Sequence, residues 1–255
     1  QLNKGILHFY RDPKELAAAS GRIQAMIDLG LERRLVDTDT CIELEPALKS
    51  AAENNLIRGG IFTPGDESGN THAFCIALAE LCVKMGVKFY YDSPIKRLII
   101  KNGTFRQVET KTDTFEAENC VVALGSYSPL LLKPLGINLP VYPVKGYSIT
   151  LPVTNQEAAP QVSLIQDELK LVYSRFGSRL RVAGMAEIAG YDTTIDKVRS
   201  QLVLSSALTL FPDCCNREIA EFWSGLRPQT PDSVPVLGTT KINNLFLNTG
   251  HSTLG

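Results

Sequence analysis

Apolar residues recur at helical spacing at Leu16, Ala19, Ile23, Met26 and Ile27, a pattern that predicts a helix with one buried face. Asp12-Pro13 opens it, with Asp12 as the cap, Pro13 in the first turn and Glu15 completing a capping box, and Gly30 closes it. Its partner is expected to be a sheet that begins with a strand at Gly5 to Tyr10 and continues with another at Leu31 to Val36. A short helix over Asp39 to Leu48 leads into Arg58 to Asp66, where glycines and a proline read as an irregular, turn-rich stretch. From Asn70 the helical spacing returns in Phe74, Ala77, Leu78, Leu81, Cys82 and Met85, until Gly86 supplies a stop.

A strand is expected at Val87 to Tyr91. After it come a hairpin of Ile95 to Lys101 and Phe105 to Lys111 around Asn102-Gly103, and an apolar strand Cys120 to Leu124 that ends at Gly125. Beyond Pro140 the texture changes. Strands at Val141 to Leu151, Leu169 to Tyr173 and Leu180 to Ala183 precede a helix from about Thr194 to Leu210, capped within Asp192 to Thr194, which suggests a second, mixed-sheet domain. Trp223 to Gly255 returns to short strands between glycine and proline turns. The pattern as a whole is that of an α/β protein.

Composition narrows the function classes. With 255 residues and 44% hydrophobic content, the chain is long enough to bury one large core or two smaller ones. Lysine plus arginine (26) nearly balances aspartate plus glutamate (27), so no nucleic-acid partner is expected. No apolar run approaches the roughly 20 residues that span a bilayer, and any membrane contact is expected to be peripheral. The six cysteines show neither Cys-x-x-Cys pairs nor zinc spacing, so no metal site is expected and the thiols read as reduced and mostly buried. Cys75 and Cys82, seven apart, share an apolar helix face, while Cys214-Cys215 as a bridged pair would be strained.

No two glycines stand two positions apart, so the Gly-x-Gly-x-x-Gly turn that cradles a dinucleotide pyrophosphate does not occur. Five segments nevertheless carry chemistry in their combination and order. They are Gly65 to Phe74 (GDESGNTHAF), Val121 to Ser126 (VVALGS), Pro143 to Tyr147 (PVKGY), Arg181 to Glu187 (RVAGMAE), and Gly225 to Asp232 (GLRPQTPD) followed by Asn248 to Gly255 (NTGHSTLG). Over essentially the whole chain, this set resembles the D-amino-acid dehydrogenase branch of the glycine oxidase and D-amino-acid oxidase superfamily.

The resemblance implies a partial FAD/NAD(P)-binding Rossmann-like domain plus a substrate domain with a mixed β-sheet flanked by helices, an α/β fold of mixed α+β texture. It places the substrate domain at 1–65 and 141–224 and the FAD-binding domain at 66–140 and 225–255. The N-terminal nucleotide-binding piece and the C-terminal tail are expected to be missing, so the chain alone is expected to lack FAD and activity and to self-associate through its truncated surfaces. The implied reaction is FAD-dependent oxidative deamination of a D-amino acid. Hydride passes from Cα to flavin N5, the imino acid hydrolyses to a 2-oxo acid and ammonia, and electrons leave to a quinone or other electron-transfer acceptor. This places the whole protein at the cytoplasmic side of a bacterial inner membrane or in the cytoplasm. Related readings are a glycine, proline, sarcosine or other secondary-amine oxidase or dehydrogenase, or a cofactor-free binding or structural domain.

By position, Arg227 matches the family arginine that grips the substrate carboxylate, for which a planar guanidinium fork is well suited; pairing with Asp232 or Glu221 is the structural alternative. Thr253 stands where some relatives carry a second arginine, and Tyr147 is a further substrate-pocket candidate, as are Lys145, Tyr173 and Trp223. Leu171 occupies the place of the glycine-oxidase substrate tyrosine. Ile95, Ala123, Leu124, Gly125 and Ser126 match positions beside the adenosine half of the cofactor. Gly225, Gly250, His251, Ser252, Thr253, Leu254 and Gly255 match the final flavin piece, in which Gly250 to Gly255 runs along the flavin ring. No residue is implied as an obligatory proton-transfer group.

Overall fold

The computed structural model describes residues 4–253. In chain order it contains β1 (Ile6–Tyr10), α1 (Pro13–Asp28), β2 (Arg34–Val36), α2 (Thr38–Leu44), α3 (Lys49–Glu53), β3 (Gly59–Thr63) and α4 (Thr71–Lys84). There follow β4 (Ile95–Lys101), β5 (Thr104–Thr110), β6 (Thr114–Glu116), β7 (Cys120–Val122), α5 (Ser128–Leu132), β8 (Tyr142–Pro152), β9 (Ser163–Gln166), β10 (Leu171–Phe176) and β11 (Arg179–Ile188). The chain closes with α6 (Lys197–Leu210), β12 (Glu221–Gln229), β13 (Val236–Thr239) and β14 (Leu245–Thr249). It divides into two compact units. One takes the chain up to Ala79 with Gly146–Ala186 and Thr194–Ser224; the other takes Glu80–Lys145, Glu187–Thr193 and the residues from Gly225 on.

The first unit is organised by a mixed eight-stranded sheet in the order β12-β8-β11-β10-β9-β1-β3-β2. β1 runs parallel to β9 and antiparallel to β3. Alternation sends Leu7 and Phe9 of β1, Leu164 of β9, Tyr173 of β10, Leu180 and Val182 of β11, and Tyr147, Ile149 and Leu151 of β8 into one core, which Val203, Ala207 and Leu210 of α6 close. On β1 the next residue in the alternation, Tyr10, packs with Ile61 against Ala19 and Ile23 of α1. Asp12 caps α1 by accepting from the Lys14 amide at 2.8 Å, as its sequence signal requires.

Two carboxylates, one buried and one half-buried, tie distant segments of this unit together. Glu45, 1% exposed, accepts the backbone N–H groups of Gln161, Val162 and Ala47; burial raises its pKa against the pull of these bonds. Asp167 accepts from His8 Nδ1 at 3.1 Å and from the Tyr10 hydroxyl at 2.6 Å. The His8 bond, and then the Tyr10 bond, holds its carboxyl well below the usual range against desolvation.

The second unit contains two three-stranded sheets, β13-β14-β7 and β4-β5-β6. Its core is small: Leu98, Phe105, Val122, Leu132, Ile242, Leu245 and Leu247.

Several local expectations change. The stretch at Arg58 to Asp66 contains the fully buried strand β3. Its glycines serve close packing, since a Cβ on Gly60 would stand 2.6 Å from the His8 carbonyl and 2.8 Å from Leu7. Val87 to Tyr91 is not a strand, β6 and β9 gave no signal that was read, and α6 starts later than expected, with Asp196 as its cap accepting from Arg199 N. Helix α4 forms as its spacing requires but buries none of its residues, so Cys75 is exposed and Cys82 half-buried. The Cys214 and Cys215 thiols are both free.

Candidate functional site

In the second unit β7 and β14 run parallel, pairing Leu245 with Cys120 and Leu247 with Val122. Parallel pairing brings the carboxyl ends of the two strands to the same edge, where α/β sheets place their ligands. Two turns leave that edge, Ala123–Ser126 after β7 and Gly250–Ser252 after β14. They are bonded into one cluster. The Thr249 hydroxyl donates to the Gly125 carbonyl at 3.0 Å and shares a 3.0 Å hydrogen bond with the Ser128 hydroxyl. The Ser252 amide donates to the Pro228 carbonyl at 3.1 Å, and the Thr230 amide donates to the Ser252 hydroxyl at 3.3 Å.

Glycine is needed at the centre. Gly250 has φ +75°, and a Cβ there would stand 2.8 Å from Thr230 Cγ2 and 3.3 Å from Val141 Cγ2. Ser126 is 4% exposed, and its hydroxyl has no hydrogen-bond partner among the described residues. Beside this turn a cavity of about 610 Å³ is lined by Ser93, Ile95, Lys96, Leu124, Tyr127 and Leu130, among others. A tight glycine turn, an unpaired buried hydroxyl and an adjoining, mainly apolar cavity fit the nucleotide part of a dinucleotide cofactor.

Ile95, Leu124, Gly125, Ser126, Gly250 and Ser252 therefore lie in this cluster or line its cavity, with Ala123 in the same turn. His251 is half-buried within the second turn and Thr253 is exposed directly after it, whereas Leu254 and Gly255 lie outside the described residues. Arg227 is half-buried on β12, next in sequence to the Pro228 that accepts from Ser252. Burial lowers its guanidinium pKa from the ordinary value, a shift that leaves an arginine cationic at neutral pH. Gly225, half-buried, lies on the same strand.

The pocket candidates from the first unit fare differently. Tyr147 is 2% exposed and Tyr173 fully buried, both in the core that α6 closes. Trp223 is largely exposed, with Arg181 5.6 Å from its ring centre. Lys145, in the second unit, is 2% exposed and pairs with Glu187 at 3.3 Å and Asp192 at 3.2 Å.

Sequence reasoning missed the segment Glu187–Thr193 as a support of the site. The Tyr191 hydroxyl donates to the Ser126 carbonyl at 2.9 Å, and its ring lies 5.5 Å from that of Tyr127. Only the preceding Arg181 to Glu187 motif hinted at this region; Tyr191 itself stands in an unremarked loop. Thr230 and Thr249, which lock the two turns, stand inside the motifs Gly225 to Asp232 and Asn248 to Gly255, where no local signal distinguishes them.

Fold and site together define an α/β protein in which a large mixed sheet accompanies a smaller sheet with glycine turns at the ends of its parallel pair. The chain belongs to the FAD-dependent oxidoreductase family (DAO), whose model matches residues 2–255. It is 49% identical over 252 residues to a D-amino acid dehydrogenase of Paramagnetospirillum magneticum, covering 99% of this chain and 59% of that protein. It is 46% identical to one of Rhizobium johnstonii, covering 99% of this chain and 60% of that protein. The chain thus spans about 60% of the length of these curated relatives. Glycine oxidase from Geobacillus kaustophilus superposes with a TM-score of 0.87 at 23% identity, covering all of this chain and 67% of its own. L-proline dehydrogenase from P. horikoshii superposes at 0.83 with 19% identity, covering 99% of this chain and 68% of its own. These two share the fold.

Proposed function

We propose that the whole protein oxidises D-amino acids to 2-oxo acids and ammonia with FAD as the cofactor, the second unit being its FAD-binding domain and the first its substrate domain. The observation that carries this reading is the joining of the β7 turn to the end of β14 through Thr249–Gly125, and of the β14 turn to β12 through Ser252–Pro228, with Arg227 one residue from the second bond. The identity of 41–49% to proteins named D-amino acid dehydrogenase supports the substrate class.

Within that reading each residue has a physical task. Arg227 binds the substrate carboxylate through paired, charge-assisted hydrogen bonds, which strengthen where water is partly excluded. Gly250 presents no Cβ to Thr230 and Val141, so the turn that is to run along the cofactor can close against them, and Ser252 holds that turn in place. Ser126 offers its hydroxyl to the nucleotide half, and Ile95 and Leu124 form apolar walls. FAD, when bound, supplies the two-electron oxidant for the Cα–H bond. The imino acid released then takes up water and loses ammonia. No side chain is assigned a proton-transfer role, so rate enhancement rests on positioning and electrostatics.

The electrons are proposed to pass to a respiratory quinone or similar acceptor at the inner face of a bacterial membrane. Among the described residues no helix is long and apolar enough to cross a membrane, in keeping with peripheral contact. The test is steady-state kinetics of the full-length protein on D-alanine, D-proline, glycine and sarcosine. D-Alanine is expected to lead, and Arg227→Ala to lower its kcat/KM by roughly 30- to 1000-fold, the equivalent of about 2–4 kcal/mol. Undiminished affinity for D-alanine in that variant would remove Arg227 from the site. Preference for sarcosine or glycine would move the substrate class to secondary amines.

A further inference from the structure

The turn that follows α6 places two thiols against each other at the edge of the first unit's core. Cys214 is 1% exposed and belongs to that core, while Cys215 is half-buried. Their Sγ atoms stand 2.8 Å apart, closer than two sulfurs come in ordinary packing. Main-chain hydrogen bonds fix the backbone of the turn that carries them. The Thr154 and Asn155 amides donate to the Cys214 carbonyl at 2.9 and 3.3 Å, the Asn216 amide donates to the Pro152 carbonyl at 3.4 Å, and Cys215 bridges Val153.

We propose that Cys214 and Cys215 form a site of reversible thiol oxidation, closing a vicinal disulfide when the protein meets a small-molecule disulfide. The two thiols are unequal in a way that assigns the order of events. The hydrogen bond from Cys214 lowers the pKa of Cys215, Arg175 lowers it further, and desolvation opposes both. Cys214 is pushed up, first by the same bond and then by burial. The half-buried Cys215 is therefore the attacking thiolate and the buried Cys214 the resolving thiol.

In the first step the Cys215 thiolate attacks one sulfur of the disulfide R–S–S–R, forming a Cys215–S–S–R bond and releasing one R–S⁻. In the second, Cys214 gives up its proton, its sulfur attacks that of Cys215, and the second R–S⁻ leaves. Two protein thiols are oxidised by two electrons and R–S–S–R is reduced to two thiols, with the protons shared among the released thiolates and solvent. Neither cysteine belongs to the Gly125–Ser252 cluster, and the proposal does not depend on the proposed reaction.

The test uses full-length protein held in glutathione buffers of graded redox ratio, then alkylated with N-ethylmaleimide and digested with trypsin. The peptide Ser200–Arg217 contains both of these cysteines and none of the other four. Under oxidising ratios it is expected without alkyl groups and lighter by two hydrogens, with full alkylation restored by dithiothreitol. Cys214→Ser is expected to trap glutathione on Cys215, whereas in Cys215→Ser the remaining Cys214 should react at least about tenfold more slowly. Alkylation of both cysteines at every ratio, a persistent glutathione adduct on the unsubstituted protein, or pairing of either residue with another cysteine would each overturn the proposal. The unsubstituted protein alone suffices for these outcomes, so poor folding of a variant does not protect the claim.

Discussion

The eight-stranded sheet and the segment around α4 are both rich in apolar residues, and they use them in opposite ways. Around the sheet, Phe9, Leu164, Tyr173 and Val182 are fully buried. In α4, Phe74 is 65% and Leu81 52% exposed, and no residue of the helix is buried. The same holds for Val121 on β7, which is 59% exposed. A helix that is apolar on most of its sides is characteristically an interior helix. The difference shows that apolar spacing specifies a helix without specifying what covers it, and that the two regions should respond differently to the same kind of substitution.

The largest contrast should come from the cores. Phe105 is 1% exposed in the small core of the second unit, so Phe105→Ala is expected to cost about 3–5 kcal/mol. Hydrogen exchange should show lost protection concentrated in β4, β5 and β14, and retained protection there would mean the second unit is held by something other than this core. Next is Glu45→Ala, which leaves the Gln161, Val162 and Ala47 amides without their acceptor and is expected to cost about 3 kcal/mol in urea unfolding. A loss below about 1 kcal/mol would show that water replaces the carboxylate and that the staple is dispensable.

A smaller effect is expected from acid. Because the folded pKa of Asp167 is depressed, its contribution is fully present above the unfolded value near ~3.9 and is lost as pH falls from there through the lower folded value. Asp167→Asn should flatten the acid limb of a stability-against-pH curve measured between about pH 5 and 2, and an unchanged limb would assign the acid response to other carboxylates. Smallest of all, Phe74→Ser should change the stability of this chain by less than about 0.5 kcal/mol, since surface positions rarely matter more. It should also reduce any self-association seen by sedimentation. In a longer chain that covers α4 the same change should cost several times as much, and an equal effect in both would refute the view of α4 as an interior helix.

The sequence by itself determined features whose signals act between neighbouring residues. Asp12 and Pro13 start α1 because the cap reaches an amide two residues away, and Asn102-Gly103 turns β4 into β5 because both residues take positive φ. The motifs containing Gly125, Arg227 and Gly250 are legible in the same way, as short runs of defined residue types, and they carry the resemblance to the family.

Only the tertiary structure decided what depends on partners far along the chain. It made a buried strand of Gly59–Thr63, since the closeness of His8 and Leu7 that calls for glycine there cannot be read locally. It put Tyr147 in a core, left Cys75 exposed, and brought the Cys214 and Cys215 sulfurs together. It also joined Gly125, Pro228 and Ser252 into one cluster through hydrogen bonds spanning more than a hundred residues in the case of Thr249 and Gly125. Propensities and caps are settled by adjacent atoms, whereas burial and the meeting of distant turns depend on strand pairing, which local sequence does not encode.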